Sequence, residues 1–145
     1  PDRAAERQLL AQPDRRMTPQ HLKPCLDAAD LQHWQQLLMQ VHLSDAVLDY
    51  IQRLLDFSRQ SPRIRLGLSP RGGLAIVRAA RCHALMAGRD YVTPDDVHAV
   101  FVAVADHRLG VMDDRHPHNE QPGKKIDNDR TLAEWILDSV NVLPD

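Results

Sequence analysis

The sequence predicts an all-α fold, a small bundle of four or five helices. Apolar residues recur with helical spacing in five stretches, most of them behind a capping residue, and no strand-rich region interrupts them. Aromatic residues make up only 4% of the 145 residues, although 43% are hydrophobic, so the core must be aliphatic and rich in alanine. A chain of this length can bury one real core.

The first long helix is predicted to begin after Asp27. A short helical piece precedes it within residues 4–11, and three prolines mark residues 13–27 as linker or extended chain. Asp27 can cap the helix, with Asp30 three positions further on. The apolar stripe of this helix consists of Leu31, Trp34, Leu37, Leu38 and Val41.

Ser44 is predicted to cap a second helix, which ends before Pro62. Its apolar face holds Val47, Ile51, Leu54 and Leu55, with Tyr50 and Phe57 beside it. Residues 63–66 then form a short extended link to the third helix.

Ser69 and Pro70 predict the start of the third helix. Ser69 can cap the first free backbone N–H groups, and Pro70 suits the first helical position, where its missing N–H costs nothing. The helix runs to about Ala87, and Gly88 lies just beyond it. A helical wheel at ~100° per residue collects mostly small residues on one face: Gly73, Ile76, Val77, Ala80, Ala84 and Ala87.

Arg71 falls in the first turn of this helix and, with Arg78 and Cys82, on the side opposite its apolar face. A cation is unusual there, because the helix dipole already makes this end positive. An anion would be attracted by the free N–H groups, the dipole and the guanidinium together. Arg71 and Arg78 are two turns apart, ~10 Å along the axis. Arg71 is therefore a candidate anion-binding residue, the alternative being an ordinary surface arginine.

Thr93 and Pro94 repeat the start signal for a fourth helix, after the extended residues 89–92. Asp96 can close a capping box with Thr93. The apolar stripe consists of Val97, Val100, Phe101 and Val104, and the helix ends near residues 107–108.

Residues 110–128 are rich in Gly, Pro, His, Asn and Lys and are predicted to form a flexible loop. His116 and His118, with two aspartates nearby, could bind a divalent metal, whereas a solvated loop that contains histidines is the alternative. A last helix at about 130–141 presents Leu132, Trp135, Ile136 and Val140 on one face.

Positive charge is concentrated in the middle of the chain. Residues 53–89 hold eight arginines against a single acidic residue, whereas residues 90–145 hold 12 acidic and five basic residues. The cationic segment suggests an anionic partner, which need not be nucleic acid.

The chain lacks the motifs with which a protein hydrolyses a nucleotide by itself. Gly67 and the pair Gly72 and Gly73 are not followed by the lysine and hydroxyl of a phosphate-binding loop. No strand ends in paired acidic residues suited to Mg²⁺, and Cys82 and His83 are adjacent on a helix and face apart, which favours structural roles. The chain alone is therefore not expected to be an enzyme.

The cellular setting is expected to be the cytoplasm. The two cysteines have no motif spacing, which fits a reducing compartment, and neither a signal peptide nor a membrane-spanning run is present. Because the sequence opens without an initiator Met, we expect it to be a piece of a longer protein.

Several ordered motifs resemble the C-terminal lid of MoxR-family AAA+ ATPases. They are residues 67–71 (GLSPR), 79–81 (AAR), 88–97 (GRDYVTPDDV) and 107–109 (HRL), extended by 44–51 and the last helix. Residues 6–10 (ERQLL) look like the end of the family's nucleotide-binding core. The resemblance implies that residues 1–27 are linker or the end of that absent core, and that residues 28–145 form the lid.

The resemblance also implies a role for Arg71. In that family the arginine of the Ser-Pro-Arg motif is the sensor 2 residue, which reaches from the lid to the nucleotide phosphates. Arg71 would act on ATP and Mg²⁺ bound to the core, and Ser69 and Arg78 are further candidates on the phosphate side. Arg78 or Arg81 could instead contact a neighbouring subunit.

The family forms ring oligomers, commonly hexamers, and acts with von Willebrand factor A proteins in the chaperone-like maturation of other proteins. One departure from its pattern is the pair Gly72 and Gly73. Better helix formers usually stand there, and each glycine weakens the first turn by up to ~1 kcal/mol.

Two functions of other classes stay open. One is a helical nucleic-acid-binding module that uses residues 53–89, although its arginines are not concentrated on one recognition helix and lysines are absent. The other is a passive interaction bundle that recruits an acidic partner. In such a bundle Arg71 would matter no more than Arg63 or Arg65.

Overall fold

The computed structural model describes residues 2–11, 23–111, 125–127 and 130–143, which contain six α-helices. The helices are α1 (Arg3–Ala11), α2 (Ala28–Gln40), α3 (Asp45–Gln60), α4 (Pro70–Met86), α5 (Pro94–Ala105) and α6 (Leu132–Ser139). A 3₁₀ turn, Asp106–Arg108, follows α5. The strands are β1 (Ile64–Leu66), β2 (Gly110–Val111), β3 (Lys125–Asp127) and β4 (Arg130–Thr131). The predicted all-α class is confirmed, since every strand is three residues or shorter.

The chain divides into two compact units, Pro1–Trp34 and Gln35–Asp145. The first contains α1 and the start of α2, where Asp27 and Asp30 each accept a hydrogen bond from the other's backbone N–H, at 2.7 and 3.1 Å. This capping box was predicted. Of the predicted apolar stripe of α2, Leu31 and Trp34 are 53% and 50% exposed, whereas Val41, which lies just after the helix in the second unit, is buried in the core.

The second unit carries the hydrophobic core, which α3, α4, α5 and α6 supply. Its fully enclosed side chains include Tyr50, Leu54, Ile76, Phe101 and Ile136. The predicted small-residue face of α4 is buried except for Val77, which is half-buried, and Ala87 at its end, which is exposed, and α4 packs most extensively against α5. Small side chains allow this close approach, which fixes α4 firmly on one side and leaves its opposite side in solvent.

The prediction of a loop over residues 110–128 is wrong at both of its ends. Residues 110–111 pair with β1 as an antiparallel strand, and residues 125–127 pair in the same way with β4. Gly110 makes the first pairing possible, because a Cβ there would lie only 3.1 Å from Cβ of Leu66. The remaining residues of this segment, including His116 and His118, lie outside the described residues.

The last helix is shorter than predicted because β4 occupies its expected start. Thr131 then caps α6, its side chain accepting from the backbone of Glu134 while Glu134 bonds back to the N–H of Thr131. No helix among the described residues has the length and apolar character needed to cross a bilayer.

Candidate functional site

The N-terminal end of α4 has the capped geometry that the sequence predicted. Ser69 is extended, at φ −75° and ψ 165°, and its hydroxyl accepts from the backbone N–H of Gly72 at 3.3 Å. Pro70 holds the first helical position, and the first turn contains no acidic residue. Within the described part of the chain, the exposed Arg71 makes no hydrogen bond or ion pair. No described residue therefore neutralises its guanidinium.

Helix α3 holds the chain just before α4 by hydrogen bonds to the backbone N–H and the backbone carbonyl of Leu68. The backbone N–H of Leu68 donates to the hydroxyl of Ser58 at 2.9 Å, and the side chain of Arg59 donates from Nε to the Leu68 carbonyl at 2.9 Å. Ser58 is fully buried and donates its own proton to the carbonyl of Leu55 at 2.6 Å. The start of α4 is thus hydrogen-bonded to one turn of α3.

Two glycines bring the same elements into close contact. A Cβ at Gly67 would lie 2.6 Å from the carbonyl oxygen of Ser58 and 2.8 Å from Cα of Arg59, both backbone atoms. A Cβ at Gly73 would lie 2.8 Å from a methyl carbon of Leu55. The glycine that was expected only to weaken the first turn of α4 therefore also permits close packing against α3.

The structure brings Ser69 and Arg71 together at one helix end but leaves Arg78 two turns away. Arg78 and Cys82 are exposed, on the predicted side of α4. The side chain of Arg81 is half-buried, and its Nε is buried without a hydrogen-bond partner among the described residues. Ser69 accepts with its oxygen in the helix cap, and its O–H remains able to donate to a phosphate oxygen.

Several other arginines of residues 53–89 serve internal contacts. Arg53 donates to two backbone carbonyls close to the C-terminal end, at 2.6 and 3.3 Å. Arg63 lies over the ring of Trp135, with 5.5 Å between the guanidinium carbon and the ring centroid. Arg89 forms an ion pair with Asp96. These arginines contribute to the positive charge of the segment, but their side chains already make contacts within the chain.

Asp96 is the centre of a polar cluster that the sequence revealed only in part. Its fully buried carboxylate accepts from the N–H of Thr93 at 2.8 Å, as the predicted capping box requires. It also accepts two bonds from the Arg89 guanidinium, at 2.5 and 2.7 Å, and pairs with Nδ1 of His83 at 2.7 Å. The Arg89 guanidinium is the main reason why the pKa of Asp96 lies far below its usual range. His83 is thus structural, as predicted.

Metal-binding groups are not clustered in the region that the structure covers: no three His, Cys, Asp or Glu side chains there could hold an ion together. The described residues fit the phosphate end of a nucleotide, where a helix N-terminus and an arginine coincide. They do not fit its Mg²⁺, which requires oxygen ligands.

Comparison with known proteins identifies the family of the chain. A family model described as AAA lid domain matches residues 56–134. Uncharacterized protein YeaC of Bacillus subtilis (strain 168) is 31% identical over 83% of this chain and 36% of its own length. Chaperone MoxR1 of Mycobacterium tuberculosis is 33% identical over 88% of this chain and 36% of its own length. Protein MoxR of Methylorubrum extorquens is 51% identical over a shorter stretch, 30% of this chain and 12% of that protein.

A solved structure shares the fold. The crystal structure of a candidate ATPase from Cytophaga hutchinsonii superposes with a TM-score of 0.64 at 20% identity, over 97% of this chain and 43% of that one. The chain spans about a third of the length of the first two curated relatives. Because the AAA lid domain model matches more than half of the residues, the chain belongs to the AAA lid domain family and is a lid of the MoxR type.

Proposed function

We propose that this chain is the lid that closes over ATP bound to the AAA+ core of the same protein, and that Arg71 supplies positive charge to the nucleotide phosphates. The observation that carries the proposal is the position of Arg71. It is exposed in the first turn of a capped helix, and no described residue neutralises it. An anion there is attracted by the helix dipole, the N-terminal N–H groups and the guanidinium at once.

The lid contributes binding and electrostatics, and hydrolysis belongs to the complete protein. ATP with Mg²⁺ supplies the phosphoryl group and the metal ion, both held mainly by the core. Arg71 donates to phosphate oxygens, where stabilisation of developing charge accelerates the reaction. Ser69 and Arg78 are secondary candidates on the phosphate side. Closure of the lid would exclude water and align Arg71 with its target.

Proposals for the localisation, the assembly and the partners of the protein are based on its similarity to the MoxR proteins. We propose a cytoplasmic ring oligomer, with a hexamer as the first expectation, in which Arg78 or Arg81 reaches a neighbouring subunit if it does not serve the phosphates. A relative named Chaperone MoxR1 supports a chaperone-like role in protein maturation. The proposed partners are von Willebrand factor A proteins.

Mutation of Arg71 to alanine in the full-length protein tests the proposal. Loss of one charge-stabilising donor at a reacting group typically costs about 100–1,000-fold in rate, so steady-state ATP hydrolysis should fall by at least about tenfold. Nucleotide affinity, measured by titration with a fluorescent ATP analogue, should fall as well. Arg71→Lys should retain part of both, because it keeps the charge but not the planar guanidinium.

Arg130→Ala is the matched control. Arg130 is also an exposed arginine, with its side chain 50% accessible, and it pairs at 2.7 Å with Asp138 on α6. Its loss changes the net charge equally and should leave hydrolysis within about twofold of the wild type, as surface ion pairs contribute little. Equal effects of the two substitutions would remove the sensor role and favour the passive interaction bundle.

A further inference from the structure

We infer that one turn of α3, residues 55–59, is a positioning device for Arg71, and that Arg59 and Ser58 act on ATP hydrolysis only through it. This inference rests on the proposed function and adds to it the residues that place the arginine. Neither Ser58 nor Arg59 touches the nucleotide in this scheme. Both hold the backbone from which Arg71 projects.

Both backbone polar groups of Leu68 are held by α3. Ser58 accepts from its N–H, and Arg59 donates to its carbonyl, each at 2.9 Å. Leu68 is itself 1% exposed and precedes the capping residue Ser69 directly. Because both ends of this short backbone unit are bonded to the same helical turn, the chain cannot rotate there without breaking a buried hydrogen bond.

Close contacts with α3 lie on both sides of Arg71 along the chain. Before it, Gly67 lies against the backbone of Ser58 and Arg59 so closely that no side chain fits. After it, Gly73 lies against the side chain of Leu55. The first turn of α4 is therefore fixed at both ends by a single turn of α3, and Arg71 is the charged residue among the three exposed ones, Ser69, Pro70 and Arg71, between the fixed points.

The side chain of Arg59 itself has two partners. Its guanidinium is held within 3.5 Å of the Asp56 carboxylate, one turn earlier on α3, while Nε reaches the Leu68 carbonyl. The donors of Arg59 are therefore used within the chain, one with Asp56 and one with the backbone carbonyl of Leu68. A shift of about 1 Å in a group that must meet a reacting phosphate can cost as much as about 100-fold in rate, so small losses of positioning are measurable.

The test is a double-mutant cycle in the full-length protein. Arg59→Gln should lower kcat/KM for ATP by about three- to tenfold, within the range that misplacement allows. In an Arg71→Ala background the same substitution should change kcat/KM by less than about twofold, because the residue through which it acts is gone. Arg59→Lys, which keeps a donor for the Leu68 carbonyl, should recover most of the loss.

Arg53→Gln is the matched control, since Arg53 lies on the same helix and also donates to backbone carbonyls, but at the C-terminal end of the chain. It should change hydrolysis by less than about twofold, the scatter expected for independent sites. Should Arg59→Gln fail to fold, Ser58→Ala enters the same cycle, because it removes the acceptor for the Leu68 N–H.

The two failures can be told apart. If Arg71→Ala alone leaves hydrolysis unchanged, the proposed function is wrong, whatever Arg59→Gln does. If Arg71→Ala is damaging but Arg59→Gln matches Arg53→Gln, the positioning inference is overturned. An Arg59→Gln effect of equal size with and without Arg71 would also overturn it, because a merely structural contact damages both backgrounds alike.

Discussion

Replacing Asp96 by asparagine should destabilise the chain by about 2–3 kcal/mol, which is most of what the loss of one partner from a buried ion pair costs. The carboxylate is fully buried and accepts five hydrogen bonds, from the Arg89 guanidinium, from Nδ1 of His83 and from the N–H and hydroxyl of Thr93. All three residues that contact the carboxylate donate to it. The NH₂ group of an asparagine would therefore face a donor whichever way the amide is turned.

The size of the loss follows from which oxygen the NH₂ replaces. At Oδ2 it would face the Thr93 N–H and one Arg89 nitrogen, neither of which can accept. At Oδ1 it would face the other Arg89 nitrogen, which cannot accept, and His83, whose neutral ring can change tautomer and accept, so the amide should choose this orientation. Arg89 is 27% exposed and water can reach it, which keeps the loss below the range for a fully enclosed pair.

The pH dependence gives the prediction its sign. Asp96 has a depressed pKa when folded, mainly because of Arg89, and an ordinary pKa of about 3.9 when unfolded. Its ionisation therefore stabilises the fold above about pH 4, and the contribution is lost as the pH falls towards the folded pKa. Asparagine does not titrate, so the difference between wild type and variant should shrink by about 1 kcal/mol between pH 7 and pH 3.

Urea unfolding followed by circular dichroism at pH 7, 5 and 3 measures both quantities. Asp95→Asn is the control, because it removes the same charge from the same helical turn at an exposed position. It should cost less than about 1 kcal/mol, the value of a carboxylate near a helix N-terminus. The reasoning is refuted if the two variants unfold alike at pH 7, or if the gap between wild type and Asp96→Asn does not change with pH.

Three further substitutions test the backbone conformation and the packing of the fold. Gly67→Ala should cost about 2 kcal/mol or more in urea unfolding, because its Cβ would overlap backbone atoms that cannot move aside. Gly88→Ala should cost only about 1 kcal/mol, because φ of +74° disfavours alanine but nothing lies within 4 Å, and an equal cost at both glycines would contradict the steric explanation. Tyr50→Phe should cost about 1 kcal/mol, because it removes the 2.5 Å hydrogen bond from a fully buried ring to Nε2 of His98. A thermal melt in which Tyr50→Phe matches the wild type would show that this bond contributes nothing.

Local sequence signals predicted the helices well because each start depends on neighbouring residues. Ser44, Ser69, Thr93 and Thr131 all occupy N-cap positions. Such caps need only a hydroxyl and the N–H groups two or three residues further along, so they can be identified from sequence. The exposure of Arg71 was predictable for a similar reason, since the apolar face of its helix fixes the opposite side.

The contacts that hold the site depend on residues distant in sequence, and single-sequence patterns do not reveal them. No local feature indicates that Arg59 reaches the carbonyl of Leu68, nine positions away. Ser58 did carry a signal, since it continues the helical spacing of Ile51, Leu54 and Leu55 and so had to face the core. A buried serine at such a position needs a hydrogen-bond partner. That partner is the N–H of Leu68, which follows the closely packed Gly67.

The charge of residues 53–89 overstates what an external partner can use. Arg53, Arg59 and Arg89 donate to backbone carbonyls or to a buried carboxylate, whereas Arg71 and Arg78 make no hydrogen bond or ion pair with described residues. A nucleic-acid duplex gains affinity from many phosphate contacts that each release counterions. Arg71 and Arg78, about 10 Å apart on one helix, cannot by themselves supply many such contacts. They can serve a compact phosphate group, particularly where a helix N-terminus adds its own N–H donors. The distribution of partners among these arginines therefore supports the proposed nucleotide, rather than a polynucleotide, as the anion for Arg71.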